Sequence, residues 1–272
     1  MAEVGVPPPR RHNRVANAAA VAALVVVAFG LATSLRSTAF AAVAPASSAQ
    51  RSAGATTARA IWLHGLGDTA EGWAFLPKLL ESKGFDYVDF VLPTAPSIPI
   101  TVNGGMYMPV WFDMDKIPYS SASTDDRASI EAIGVKQLTS LIQAAEADGV
   151  PADRVVVGGF SQGACVAMMT GLSYPRTLAG VASLSGWVPD YARPDASEVI
   201  ASEASGPRPP VLWGHGEADE IVKFEVARVG PAALRAVGME VDFRGVPGLD
   251  HGVAEEELEW LVEWLQQRLP RL

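Results

Sequence analysis

Gly159-Phe160-Ser161-Gln162-Gly163 sets a serine between glycines in the pattern G-x-S-x-G. It follows a Val-rich run, Arg154 to Val157, and opens an apolar one, Ala164 to Met169. Strand, sharp turn and helix in that order make a nucleophile elbow. Glycines let the chain turn without a Cβ clash, and the turn lifts the hydroxyl above the sheet. The chemistry this serves is acyl transfer, in which the serine oxygen attacks a carbonyl carbon. A serine hydroxyl is a weak nucleophile near neutral pH. It needs a base within hydrogen-bond reach, and the base needs an orienting carboxylate.

The chain has four histidines: His12, His64, His215 and His251. In an elbow topology the acid and the histidine follow the serine, each at the end of its strand. Only His215 and His251 do so. His215 closes the run Val-Leu-Trp-Gly, and Glu217, Asp219 and Glu220 come directly after it. His251 lies in Pro247-Gly248-Leu249-Asp250-His251-Gly252, beyond the last strand pattern. The expected set is Ser161, an acid from the 217–220 loop, and His251. Asp219 is the preferred acid, Glu217 its rival on position, and Asp250 a weaker rival. His215 reads as a packing or loop-shaping residue. An oxyanion also needs two backbone N–H donors, one from the residue after the nucleophile and one from the loop after an early strand. These are Gln162 and, in Leu63-His64-Gly65-Leu66-Gly67-Asp68, Leu66. His64 is the second-choice base, but it precedes Ser161, and shaping this turn is its plainer role. Cys165 reads as a packed residue of the helix.

These groups need a scaffold. Short apolar runs at Ala60–Leu63, Tyr87–Leu92, Arg154–Val157, Gly180–Leu184, Val211–Trp213 and Val241–Val246 read as strands. Continuous rather than alternating apolar strands suggest a parallel sheet covered on both faces. Helical stripes lie between them. One runs through Ile130, Ile133, Leu138, Leu141, Ile142 and Ala145, and stops at Gly149 and Pro151. Another runs through Leu258, Leu261, Leu265 and Leu269, with Glu255, Glu256 and Glu257 at its positive N-terminal end. Alternating units of this kind predict an α/β fold with a mostly parallel, doubly wound sheet. Residues 93–123, with five prolines, read as an irregular loop long enough to be functional.

Composition narrows the classes. Hydrophobic residues make up 49% of 272, which excludes global disorder. A net charge of −9 makes a nucleic-acid partner unexpected. One cysteine and few histidines exclude a disulfide framework and a Cys- or His-rich metal site. Residues 1–60 hold six Arg and one Glu, so the charge splits into +5 there and −14 beyond. Arg10, Arg11 and Arg14 precede an uncharged, Ala/Val-rich stretch from Val15 to Leu35. As a helix it would reach roughly 30 Å, about one bilayer core. Signal peptide, membrane anchor and transit peptide all fit this pattern. The expected division is a leader over 1–58, ending in a flexible linker, and a catalytic domain over 59–272. The leader implies a membrane-associated, secretory or organelle location.

Seven segments carry a resemblance. They are L-H-G-L-G-D at 63–68, P-T-A-P at 93–96, M-P-V-W-F-D at 108–113, G-G-F-S-Q-G-A at 158–164, L-S-G-W-V-P at 184–189, H-G-E-A-D at 215–219 and D-H-G at 250–252. Together and in order, over about residues 59–269, they resemble the acyl-protein thioesterase/carboxylesterase family, the phospholipase/carboxylesterase group of α/β-hydrolases. The resemblance implies that fold without a large lid domain, and Ser161, Asp219 and His251 as the triad. It favours Asp219 over Glu217, because members usually read H-G-D-x-D with the second acid catalytic. This chain departs from the pattern at Glu217, and at Glu220, where proline is common. The implied substrates are acyl thioesters of lipidated proteins, or else small esters and lysolipids, with no metal and no cofactor. A hydrolase-fold binding protein without turnover is the remaining reading. Met106, Met108, Trp111 and Phe112 form either an acyl-chain groove or ordinary packing of their loop. The resemblance does not extend to the leader.

Overall fold

Alternate residues of the first strand face opposite layers, and both layers are apolar. β1 (Ala58–Leu63) turns Ile61 and Leu63 to one face and Ala58, Ala60 and Trp62 to the other. Such a strand is stable only between two helical layers. The structure, a computed structural model, describes residues 56–189 and 207–272. The expected leader, its apolar stretch at 15–35 and nearly all of the linker lie outside the described residues. Among the described residues no helix is long and apolar enough to cross a membrane.

The elements follow in order. They are β1, α1 (Phe75–Ser82), β2 (Val88–Val91), β3 (Ser97–Ile100), β4 (Met106–Pro109) and α2 (Lys136–Ala147), then β5 (Val155–Phe160), α3 (Gln162–Ser173) and β6 (Gly180–Leu184). β7 (Val211–Gly216), α4 (Phe224–Ala227), α5 (Val229–Ala236), β8 (Val241–Val246) and α6 (Glu255–Arg268) complete them. The main sheet has six strands in the order β2-β1-β5-β6-β7-β8, and every pair is parallel. α2, α3 and α5 share one core with Val155, Val157 and Trp213, while α1 and α6 share the other with Val156, Leu184 and Leu212. The six expected strands all form, and the sheet is doubly wound. α3 is apolar all round, and eleven of its residues are buried, because it lies under the sheet's centre.

Residues 93–123 are more regular than expected. β3 and β4 pair antiparallel as a hairpin, with Ile98 opposite Met108 and Ile100 opposite Met106. Pro99 and Pro109 concealed it, because prolines count against strands. A two-stranded ribbon has an outer edge on which a missing N–H costs nothing. Ile100, Met108 and Val110 bury themselves with Leu66, Ile98, Val102 and Met114 in a small core of their own.

β1 and the β5–α3 turn approach with no room for side chains. A Cβ at residue 159 would lie 2.6 Å from Leu63 O and 2.7 Å from Gly163 C. A Cβ at residue 163 would lie 2.4 Å from Leu63 O. Both obstacles are backbone, which cannot swing aside. Gly159→Ala is therefore expected to cost about 3 kcal/mol of stability. A denaturant midpoint unchanged from wild type would contradict this packing.

Candidate active site

Ser161 stands between β5 and α3 at φ 53°, ψ −119°, a conformation that L-residues rarely hold. Hydrogen bonds fix it from both sides. Its N–H donates to Leu184 O at 2.9 Å, and its carbonyl accepts from Cys165 N–H at 3.1 Å. The result is the sharp turn expected of the elbow, with a side chain that retains 7% exposure.

The C-terminal ends of β7 and β8 supply its partners. His251, beyond β8, has Nε2 at 3.0 Å from Ser161 Oγ. Its Nδ1 is 2.8 Å from Asp219 Oδ2. A carboxylate can only accept, so Nδ1 carries the proton and the Nε2 lone pair faces the serine hydroxyl. The Phe160 ring lies 4.9 Å from the imidazole, centroid to centroid. Asp219 is buried, and four N–H groups surround its carboxylate. Ile221 and Val222 donate from the backbone to Oδ1 at 2.8 and 2.9 Å. His251 Nδ1 and, at 3.3 Å, His215 Nε2 face Oδ2. Burial opposes the charge, but the His215 and His251 hydrogen bonds outweigh it and hold the Asp219 carboxyl well below the usual carboxylate range. The rival acid Glu217 is exposed, and Asp250 is half-buried beside its own histidine.

The loop after β1 runs past Ser161. A Cβ on Gly65 would lie 3.6 Å from Ser161 Cβ and 3.1 Å from the Phe160 ring. His64 braces this loop. Its Nδ1–H donates to Gly65 O at 2.7 Å, and its Nε2 accepts Ala95 N–H at 3.0 Å. Both nitrogens are occupied, and burial lowers its pKa despite the Gly65 bond. That is the loop-shaping role. Gln162 does more than offer a backbone N–H. Its Oε1 accepts Trp111 N–H and its Nε2 donates to Phe112 O, both at 2.8 Å. Trp111 Nε1–H donates to His64 O at 2.8 Å, and Gly67 N–H to Pro109 O at 2.9 Å. The motifs at 63–68, 108–113 and 158–164 are thus three parts of one hydrogen-bonded assembly. Of the groove residues, Trp111 and Phe112 are buried in the main core and Met108 in the hairpin's core, while Met106 is 45% exposed.

The phospholipase/carboxylesterase family model matches residues 45–269. The chain belongs to that family. It is 36% identical over 209 residues to a probable carboxylesterase of Oryza sativa subsp. japonica, covering 77% of each chain. It is also 36% identical over 220 residues to acyl-protein thioesterase 1 of Neurospora crassa, covering 79% of this chain and 89% of that one. The crystal structure of Arabidopsis thaliana SOBER1 superposes with a TM-score of 0.72 at 32% identity, covering 78% of this chain and 99% of that one. This phospholipase/carboxylesterase family member is an ester or thioester hydrolase with the α/β-hydrolase fold.

Two supports in this hydrolase escaped sequence reasoning. Ser185, at φ 52°, donates through Oγ to Gly252 O at 3.4 Å, beside His251. Glu257, one of the three acids placed at the N-terminal end of α6, is fully buried. Its Oε2 accepts Ala254 N–H at 2.8 Å, capping α6 where Ala254 has no side-chain oxygen. Among the described residues its Oε1 has no hydrogen-bond partner, and it lies where a Cβ of residue 214 would be 2.5 Å away. The spacing held the signal, because residue 257 shares a helical face with Leu261 and Trp264. Burial pushes its carboxyl up to about 8, against the pull of the Ala254 bond, and the charges of Glu256 and Asp219 push it further.

Opposite signs of stability against pH follow. Glu257 is raised in the folded state, so its contribution is complete below its ordinary range and is lost as pH rises through about 8. Asp219 is lowered, so its contribution holds above its ordinary range and is lost as pH falls further. For these two groups stability peaks near pH 4–5 and declines by on the order of 4 kcal/mol toward pH 8. Glu257→Gln keeps an acceptor for Ala254 and removes the titration. Chemical unfolding at pH 5, 7 and 9 is expected to show a flatter dependence in this variant and greater stability than wild type at pH 9. Parallel curves would contradict the buried carboxyl's role.

Proposed function

We propose that this chain is a serine hydrolase that cleaves acyl thioesters of lipidated proteins through Ser161, His251 and Asp219. The observation that carries the reading is the hydrogen-bonded line from Ser161 Oγ through His251 to Asp219. In the first half-reaction Ser161 Oγ attacks the acyl carbonyl carbon while His251 Nε2 takes the hydroxyl proton. The oxyanion is held by the N–H groups of Gln162 and Leu66. The C–S bond breaks, and His251 returns the proton to the leaving sulfur. In the second half-reaction water attacks the acyl-enzyme, with His251 again the base, and the fatty acid leaves. Asp219 keeps the proton on Nδ1 and stabilises the imidazolium. Every step uses a group of the chain or water, so the reading needs no metal and no cofactor.

The β3–β4 hairpin is where this reading puts the acyl chain. Met108 packs there with Leu66, and Met106 is exposed, and thioethers adapt to flexible apolar ligands. Trp111 and Phe112 would stiffen that wall from within the core. Relatives named acyl-protein thioesterase favour the thioester. Those named carboxylesterase favour a second reading, hydrolysis of small esters or lysolipids by the same groups.

Ser161→Ala and His251→Ala are each expected to lower kcat by about 10⁴-fold or more in well-folded protein. Residual activity within tenfold of wild type in either variant would reject the triad. For substrate, a palmitoylated peptide is compared with p-nitrophenyl esters of increasing chain length. The thioesterase reading expects release of the peptide thiol and a preference for long chains. Preference for acetyl or butyryl esters with no peptide deacylation would reject it in favour of the second reading.

A further inference from the structure

His215 is an imidazole in contact with Asp219 that the mechanism above leaves idle. It is the penultimate residue of β7, four residues before Asp219, and is completely buried. Its Nε2 is 2.8 Å from Val222 O and 3.3 Å from Asp219 Oδ2. Both of those atoms accept, so the proton is on Nε2 and is shared between them. Its Nδ1 has no hydrogen-bond partner among the described residues, so a proton there would be buried and unpaired. Only one tautomer satisfies the surroundings, and that tautomer points its single donor at the oxygen His251 uses.

We infer that His215 is a positioning residue for the catalytic acid, holding the Asp219 loop and drawing charge from the Oδ2 that faces His251. This rests on the triad reading and extends it to a histidine–carboxylate–histidine arrangement. Two of its contacts act on one segment. The Val222 bond ties the 219–222 turn to β7, while Asp219 Oδ1 takes the N–H groups of Ile221 and Val222. The Asp219 bond then fixes the rotation of the carboxylate. Two oxygens that each accept two donors cannot turn without breaking one.

The surroundings leave Asp219 as the group this donor acts on. Phe224 of α4 faces the His215 ring at 6.1 Å and carries no charge. Gly245 of β8 is paired with His215, and against it lies the exposed carboxyl of Glu217. Glu257 stands near Gly214, the preceding residue of β7, and its charge couples to Asp219. His251 meets the same Oδ2 through its Nδ1. Removing the His215 donor therefore leaves more negative charge on Oδ2 for the His251 Nδ1–H. That strengthens the imidazolium and makes the base harder to deprotonate.

The test uses the whole chain with His215→Leu and His215→Gln, measuring kcat, KM and the pH profile of kcat/KM on a p-nitrophenyl ester. His215→Leu is expected to lower kcat on the order of tenfold with KM nearly unchanged, and to move the acid limb of the profile upward by roughly half a pH unit. His215→Gln places an amide N–H near the Nε2 position and is expected to restore both. A purely structural histidine would change stability and leave the limb in place. A folded His215→Leu with wild-type kcat and limb would overturn the inference. Should that variant not fold, ¹⁵N-histidine spectra of the wild type decide. A proton on Nε2 of His215 supports the inference, and a proton on Nδ1 overturns it. The triad reading fails separately, through an active Ser161→Ala. An inactive Ser161→Ala beside an unaffected, folded His215→Leu rejects this inference alone.

Discussion

Ser161 holds φ 53° only because four stretches of backbone leave it no other conformation. Such a residue carries about 1–3 kcal/mol of strain, which persists where the surroundings over-determine it. Here the surroundings are specific. Leu184 at the end of β6 takes its N–H, and Cys165 in the first turn of α3 donates to its carbonyl. β1 presses Leu63 O and His64 O against residues 159 and 163, where only glycine fits. Gln162 grips the backbone of Trp111 and Phe112. The contacts that hold the strain are also those that bring the 63–68 loop alongside Ser161. The strain at residue 161 and the placement of that loop share one cause: backbone packed on backbone.

The electrostatics of the site show one chemical group in two environments. Asp219 and Glu257 are both buried carboxyls near the end of β7. Asp219 is met by four N–H donors and stays ionised well below the usual range. Glu257 is met by one and is pushed up to about 8. Burial raises both, and the difference lies in hydrogen-bond donors supplied to the charged form. The donors around Asp219 include two histidine rings, whose hydrogen bonds keep the carboxyl at this position an anion. Glu257 acts as a neutral cap over most of its range, fastening the first turn of α6 three residues after Ala254 and close behind the histidine loop.

The sheet was readable because buried parallel strands leave long apolar runs, and all six runs became strands. The meeting of Ser161, Asp219 and His251 was readable for a similar reason. Each follows a strand end, where the topology brings the three side chains within hydrogen-bond distance. What sequence patterns hid was hidden physically. Pro99 and Pro109 masked the β3–β4 hairpin, because a proline on a free edge breaks no ladder. The burial of Glu257 went unread among three consecutive acids, although its helical face is the one shared with Leu261. Apolar character left Trp111 and Phe112 open to a groove or to ordinary packing, and their burial, with Gln162 holding their backbone, depends on contacts between distant segments. His215 read as a packing residue, and its hydrogen bonds to two acceptors depend on a loop geometry that no local pattern encodes.

Labelling the native protein with a fluorophosphonate, followed by mass spectrometry of its peptides, tests the central claim most directly. A strained, hydrogen-bonded Ser161 beside His251 should take one phosphonyl group per chain, on the peptide containing Ser161. The label should abolish hydrolysis, and unfolded protein should not react. Hydrolysis persisting without a label, or the adduct on any other residue, would contradict the account.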